Sequence, residues 1–144
     1  MYSINSNCKY FKLEDLIKIT KICSNLFNVK FRKISLYDLS IEKIIELNSF
    51  SLRHNYPTDV ITFSYTIKKF KDVEIYFSSE YLKSDLKEGE NFKTELYRLY
   101  IHGLLHAAGF NDHTFEEKEK MTSFENLILK QFFNVSRETL KNGT

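Results

Sequence analysis

Every strand-like pattern in this chain ends by Phe77, and from Ser79 onward only helical periodicity remains. Strands grouped in the first half with helices following predict an α+β domain, built as a small mixed sheet of about four strands packed with helices. Asp59–Tyr65 and Val73–Phe77 are rich in β-branched and aromatic residues, and the polar linker between them is short enough for a hairpin. The hairpin is expected at the sheet centre. Val29–Tyr37 alternates Val29 and Phe31, then Ile34 and Leu36, with basic residues between, as a half-buried strand with one irregularity would.

Helical patterns surround these strands. Residues 12–27 place Leu13, Leu16, Ile17, Ile19, Thr20, Cys23 and Leu26 near 3.6-residue spacing, with Glu14 and Asp15 in the first turn where the helix dipole favours acids. Ser40 is placed to cap a helix carrying Ile41, Ile44, Ile45 and Leu47, which fades near Arg53 ahead of Pro57, the only proline; a loop then runs to Thr58. Further helices are expected over residues 79–86, 91–108 and 115–133, the last opened by a Thr114–Glu117 capping box.

The chain has 144 residues, 42% of them hydrophobic, with 13 Phe and 9 Tyr, enough to fill one core, and no repeat or linker divides it. One domain over residues 1–144 is expected. Its 21 basic and 19 acidic residues leave a formal charge of +2, which excludes a global basic field, so any contact with a polyanion must be local. Cys8 and Cys23 have no paired spacing, the N-terminus has no signal layout, and no apolar run is long enough to span a bilayer. These features point to a soluble cytoplasmic protein with reduced thiols and no membrane partner.

Three of the four histidines fall within residues 102–113, HGLLHAAGFNDH. His102 and His106 lie four apart in a helical segment, so their Cβ atoms are about 40° apart around the axis and one turn apart along it. Two imidazoles so placed can grip one metal ion. Tyr97, Ile101, Leu104, Leu105 and Ala108 cluster on another face, anchoring the helix while the histidine edge lines a cleft. Gly109 stands where helices commonly end in a left-handed residue, so the chain can turn and return Asp112 or His113 as a third ligand. Three protein ligands and one position open to water make a catalytic zinc site, in which the metal lowers the water pKa to about 7. A metalloprotease would carry Glu directly after the first histidine as general base, whereas this chain has Gly103. That disfavours proteolysis. Phosphodiester hydrolysis suffers less, because a metal can supply hydroxide and neutralise phosphate charge together.

The segment His102-Gly103-Leu104-Leu105-His106-Ala107-Ala108-Gly109-Phe110-Asn111-Asp112-His113 resembles the HGxLHLxGYDH hallmark of the YbeY family of rRNA maturation endoribonucleases. Thr58-Asp59-Val60-Ile61-Thr62-Phe63 is similar to that family's TDVLSF stretch, within a region of resemblance over Asn48 to Tyr65. Glu74-Ile75-Tyr76-Phe77-Ser78 is similar to its following strand, although Val73-Glu74 replaces the usual Gly-Asp start. The resemblance runs in order over roughly residues 40–130. It implies a single α+β domain holding one zinc ion, with ribosomal RNA and the ribosomal subunit as partners. The activity implied is single-strand endoribonuclease cleavage in rRNA processing and quality control, including maturation of the 3′ end of 16S rRNA.

The chain departs from the family pattern at two places. The family's third histidine falls where Asp112 stands, and His113 follows one residue later. Asp112 keeps the spacing and His113 keeps the residue type, so both stand as candidate ligands beside His102 and His106, with Asp112 first. An aspartate ligand would make the metal a weaker Lewis acid than three neutral histidines. Arg53 is the match for a phosphate-holding catalytic cation alongside His102 and His106, although its spacing to Thr58 is one residue short. A guanidinium could bind phosphate bidentately, or Arg53 could be a solvated helix-end residue, and His54 is open in the same way. Arg98, one turn before His102, and Glu95 are read as packing residues or as support for the histidines, and Thr58 and Asp59 as turn residues or histidine orienters. Two other functions compete: a ribosome-associated assembly factor whose zinc is mainly structural, and a metallohydrolase acting on another substrate such as a peptide.

Overall fold

A computed structural model describes residues 3–52 and 60–143 of the chain. Four strands, β1 (Ser3–Ser6), β2 (Lys30–Asp38), β3 (Val60–Ile67) and β4 (Phe70–Phe77), form one sheet in the order β1-β2-β4-β3. β1 and β4 both run parallel to β2, and β3 runs antiparallel to β4, so the sheet is mixed as expected. The helices are α1 (Leu13–Phe27), α2 (Ile41–Leu52), α3 (Ser79–Asp85), α4 (Phe92–Ala107) and α5 (Phe115–Gly143). The irregularity read in β2 is a register shift between Phe31 and Lys33 opposite β4. Ser40 caps α2 by accepting from the Lys43 amide at 3.2 Å.

Three expectations change. The hairpin turn is only Lys68-Lys69, with Lys68 at φ 57, so its strands are longer than the polar linker suggested. β4 is central, but β3 is an edge strand, because β2 takes the other side of β4. β1 escaped notice because Ser-Ile-Asn-Ser has no alternation to read; parallel backbone pairing with β2 holds it at the other edge. In addition, α5 continues to Gly143, past the end expected at Phe133.

The core lies between one face of the sheet and α1, α4 and α5. Ile34, Leu36, Val73, Ile75 and Phe77 point from the sheet, and Leu16, Ile19, Cys23, Met121, Ile128 and Phe132 close over them from the helices. α4 runs through the middle. Its buried surface is broader than the face read from sequence, taking in Leu96, Leu99, Tyr100, Gly103 and Ala107, while Ala108 is only half-buried. Two buried polar contacts tie α1 to it: the Tyr97 hydroxyl donates to Asp15 at 2.5 Å, and Thr20 and Tyr100 share a 2.6 Å hydrogen bond. Asp15 therefore does more than complement the helix dipole. Packing on nearly every side makes α4 a rigid mount.

Candidate metal centre

Asn91 starts α4 by accepting from the Thr94 amide, and the last two turns carry His102 and His106 on the one edge left half-buried. The helix stops in a Schellman arrangement, with the Gly109 amide bonded to His106 O and the Phe110 amide to Leu105 O, each at 3.0 Å. Gly109 has φ 103, a conformation that favours glycine. This reversal returns the chain alongside the histidines. Asp112 Oδ2 reaches 3.2 Å from His102 Nε2 and 3.5 Å from His106 Nε2, and the two Nε2 atoms are 3.0 Å apart. The three side chains thus present one ligand atom each, all within 4.8 Å of one another.

The far side of each imidazole is engaged by an acceptor. His102 Nδ1 is 2.6 Å from Glu125 Oε2, and His106 Nδ1 is 3.0 Å from the Phe110 carbonyl. A carboxylate and a carbonyl can only accept, so each Nδ1 is the donor and each Nε2 keeps its lone pair for the centre. Burial holds His106 below the ordinary histidine pKa, helped by His102 and opposed by Asp112 and the Phe110 carbonyl. Its neutral form is therefore favoured. With both rings neutral, two lone pairs and a carboxylate oxygen face one another, an arrangement that suits a cation.

Glu125 was not singled out from sequence, although a signal existed. It interrupts the apolar stripe Met121, Ile128, Leu129, Phe132 of α5, and a carboxylate in such a stripe must have a buried partner. Arg98 holds the same carboxylate at 3.3 Å and also donates to Glu95 at 3.1 Å and to Asn126 at 2.8 Å. Of the two roles open to Arg98 and Glu95, the structure gives support for His102 through Glu125. His102, Asp112, Arg98 and Glu125 line a cleft of about 380 Å³ together with the exposed Lys87 and Lys118.

Gly103 has a packing reason. A Cβ there would stand 2.7 Å from Ile75 Cδ1 and 3.2 Å from Thr62 Oγ1, so α4 lies so close to β3 and β4 that any larger residue would have to push these side chains aside. The position where a metalloprotease keeps its glutamate faces the sheet rather than the cleft. His113 is exposed and its side chain is not part of the three-residue group; its amide, with that of Thr114, donates to Glu117. The Glu117 amide in turn donates to Thr114 Oγ1 at 3.1 Å, completing the expected capping box. Arg53, His54, Thr58 and Asp59 lie outside the described residues.

A family model described as "Endoribonuclease YbeY" matches residues 4–133. Curated relatives of that name include one from Azobacteroides pseudotrichonymphae, 32% identical over 106 residues, which are 73% of this chain and 76% of the relative. One from Thermotoga neapolitana is 37% identical over 111 residues, 74% of this chain and 71% of the relative. The solution structure of TM1509 from Thermotoga maritima superposes with a TM-score of 0.58 at 25% identity, covering 96% of this chain and 93% of that one.

Proposed function

Since the chain belongs to the YbeY endoribonuclease family, we propose that it is a zinc-dependent endoribonuclease that cleaves single-stranded segments of ribosomal RNA. The observation that carries this is the convergence of His102 Nε2, His106 Nε2 and Asp112 Oδ2 on one point, with both Nδ1 atoms already committed. Two imidazoles and one carboxylate are a donor set suited to zinc, leaving a fourth position for water. When bound, the ion supplies a water of lowered pKa and a positive centre for a phosphate oxygen.

The chain's own groups define the rest. Glu125 fixes the ring of His102 and the Phe110 carbonyl fixes that of His106, so neither imidazole can swing to another tautomer without losing a hydrogen bond. Asp112 supplies the third ligand, and His113, exposed beside it, is free to meet substrate at the rim. Gly103 leaves the centre without a carboxylate base next to the first histidine, which disfavours peptide hydrolysis. Arg53 is assigned the phosphate of the scissile strand, through a guanidinium able to bind two oxygens at once. The substrate assigned is ribosomal RNA, including the 3′ end of 16S rRNA, with the ribosomal subunit as partner and the cytoplasm as location. Among the described residues no helix is long and apolar enough to cross a membrane.

Elemental analysis of the purified protein together with cleavage of a labelled single-stranded RNA tests this. One zinc per chain and metal-dependent cleavage are expected, with both lost in His102→Ala and His106→Ala. Full cleavage by chelated protein would overturn the assignment. Zinc retained with no cleavage of any RNA would instead favour a structural metal.

A further inference from the structure

The face of the sheet turned away from α4 carries a second set of chemically distinctive groups. Ile75 and Thr62 mark the α4 side by meeting Gly103, so their neighbours along the strands, Glu74, Tyr76 and Phe63, point the other way. Strand register sets them in rows: Tyr37 beside Tyr76, Ser35 beside Glu74 and Phe63, and Lys33 beside Asp72 and Tyr65. Tyr37 and Tyr76 stack at 4.8 Å and 17°, and Phe63 meets Tyr76 edge-on at 5.9 Å. Tyr37 is 37% exposed and Tyr65 52%, so ring surface remains open to solvent. A cavity of about 470 Å³ lies here, lined by Lys33, Tyr37, Tyr65 and Glu74 among others.

Glu74 is held in the middle. The Tyr65 hydroxyl donates to Oε1 at 3.2 Å and the Tyr76 hydroxyl to Oε2 at 3.4 Å, which leaves each carboxylate oxygen with a further lone pair. At the neighbouring corner Arg32 binds Asp72 through two nitrogens, so Arg32, Lys33 and Asp72 together leave one positive charge. Open aromatic rings on the two strands that flank β4, a fixed acceptor on β4 between them and a cation at the margin match the three parts of a nucleotide: base face, base edge and phosphate. The centre of a protein-docking face is depleted of charge, whereas Glu74 and Asp72 stand among these rings with Lys33 beside them.

We propose that this face is a binding platform for single-stranded RNA, with bases stacking on Tyr37 and Tyr65, Glu74 accepting from a base edge, and Lys33 meeting phosphate. Guanine is the preferred base, because its N1–H and exocyclic amine form a two-donor edge that a carboxylate accepts bidentately, while uracil offers a single N–H flanked by acceptors. The platform rests on RNA being the substrate class. It lies across the sheet from the metal centre and holds a strand by a segment other than the one cut.

Binding of a fluorescein-labelled, unstructured oligouridine carrying one guanosine, and of the all-uridine control, is measured by anisotropy with the full chain in excess chelator. The guanosine oligonucleotide is expected to bind more tightly without metal. Tyr37→Ala with Tyr65→Ala weakens binding by about tenfold or more, given the usual worth of a base–aromatic stack, while the paired Phe substitutions retain it. Glu74→Gln removes the guanosine preference, so that the two oligonucleotides bind alike; a preference that survives in this variant overturns the role of Glu74. Equal affinity in the paired Ala variant, or no binding by chelated protein, overturns the platform, as does a dimer in sedimentation that the Ala pair abolishes. Metal-loaded protein that cleaves no RNA sinks the nuclease assignment separately, whatever the chelated protein binds.

Discussion

Single side chains decide the chemistry of the centre. Glu125 stands outside the three-residue group, yet it orients His102 and is itself held by Arg98. Glu125→Ala is expected to weaken metal binding by about 10- to 100-fold, read by competition with a chromogenic chelator, while His113→Ala leaves it nearly unchanged. The histidine pair was legible from spacing alone, since four residues in a helix can only be neighbours. That Asp112 and not His113 joins the pair in the three-residue group was not, because it depends on the path of the chain after Gly109 and on a capping bond that draws the His113 amide toward Glu117. Gly103 was legible as a missing base but not as a packing requirement, which only the facing strand reveals. Gly103→Ala should cost roughly 1–3 kcal/mol in denaturant unfolding through overpacking against Ile75, and Ile75→Val should recover part of it.

At the level of elements, the site depends on how α4 ends and how α5 begins. Asp112 lies between the Schellman turn of one helix and the capping box of the next, so both caps act on its placement. Thr114→Ala is expected to lower stability by about 1 kcal/mol in urea titration and to weaken metal binding with it. The amides of Thr114 and His113 hold the Glu117 carboxyl below the usual glutamate pKa. Its contribution is therefore complete above the unfolded-state pKa and disappears as pH falls through the lowered folded-state value. Amide shifts of residues 113–117 followed by NMR should report this loss below the ordinary carboxylate range. These caps were readable in Thr114, Glu117 and Gly109 because capping is local chemistry. β1 was not, since four polar-rich residues held by backbone pairing leave no trace in side-chain pattern, and the edge position of β3 depends on which strand β2 chooses.

For the molecule as a whole, the ion would join the end of α4 to the loop that leads into α5, and α4 and α5 already pack together. Binding to the folded chain alone should add about 2.7 kcal/mol at a free metal concentration a hundred times Kd, so excess chelator is expected to lower Tm in calorimetry. The two free cysteines report the same equilibrium from inside. Burial pushes the Cys23 thiol up to about 12 and Cys8 to about 11, and both should resist alkylation at neutral pH until the core opens. The close seat of α4 on the sheet has a consequence for descent as well. A glutamate at position 103 would have to displace Ile75 and Thr62, on two neighbouring strands, before its carboxylate had anywhere to go. A carboxylate base beside the first histidine is therefore not one substitution away on this scaffold, because room must first be made on the facing strands.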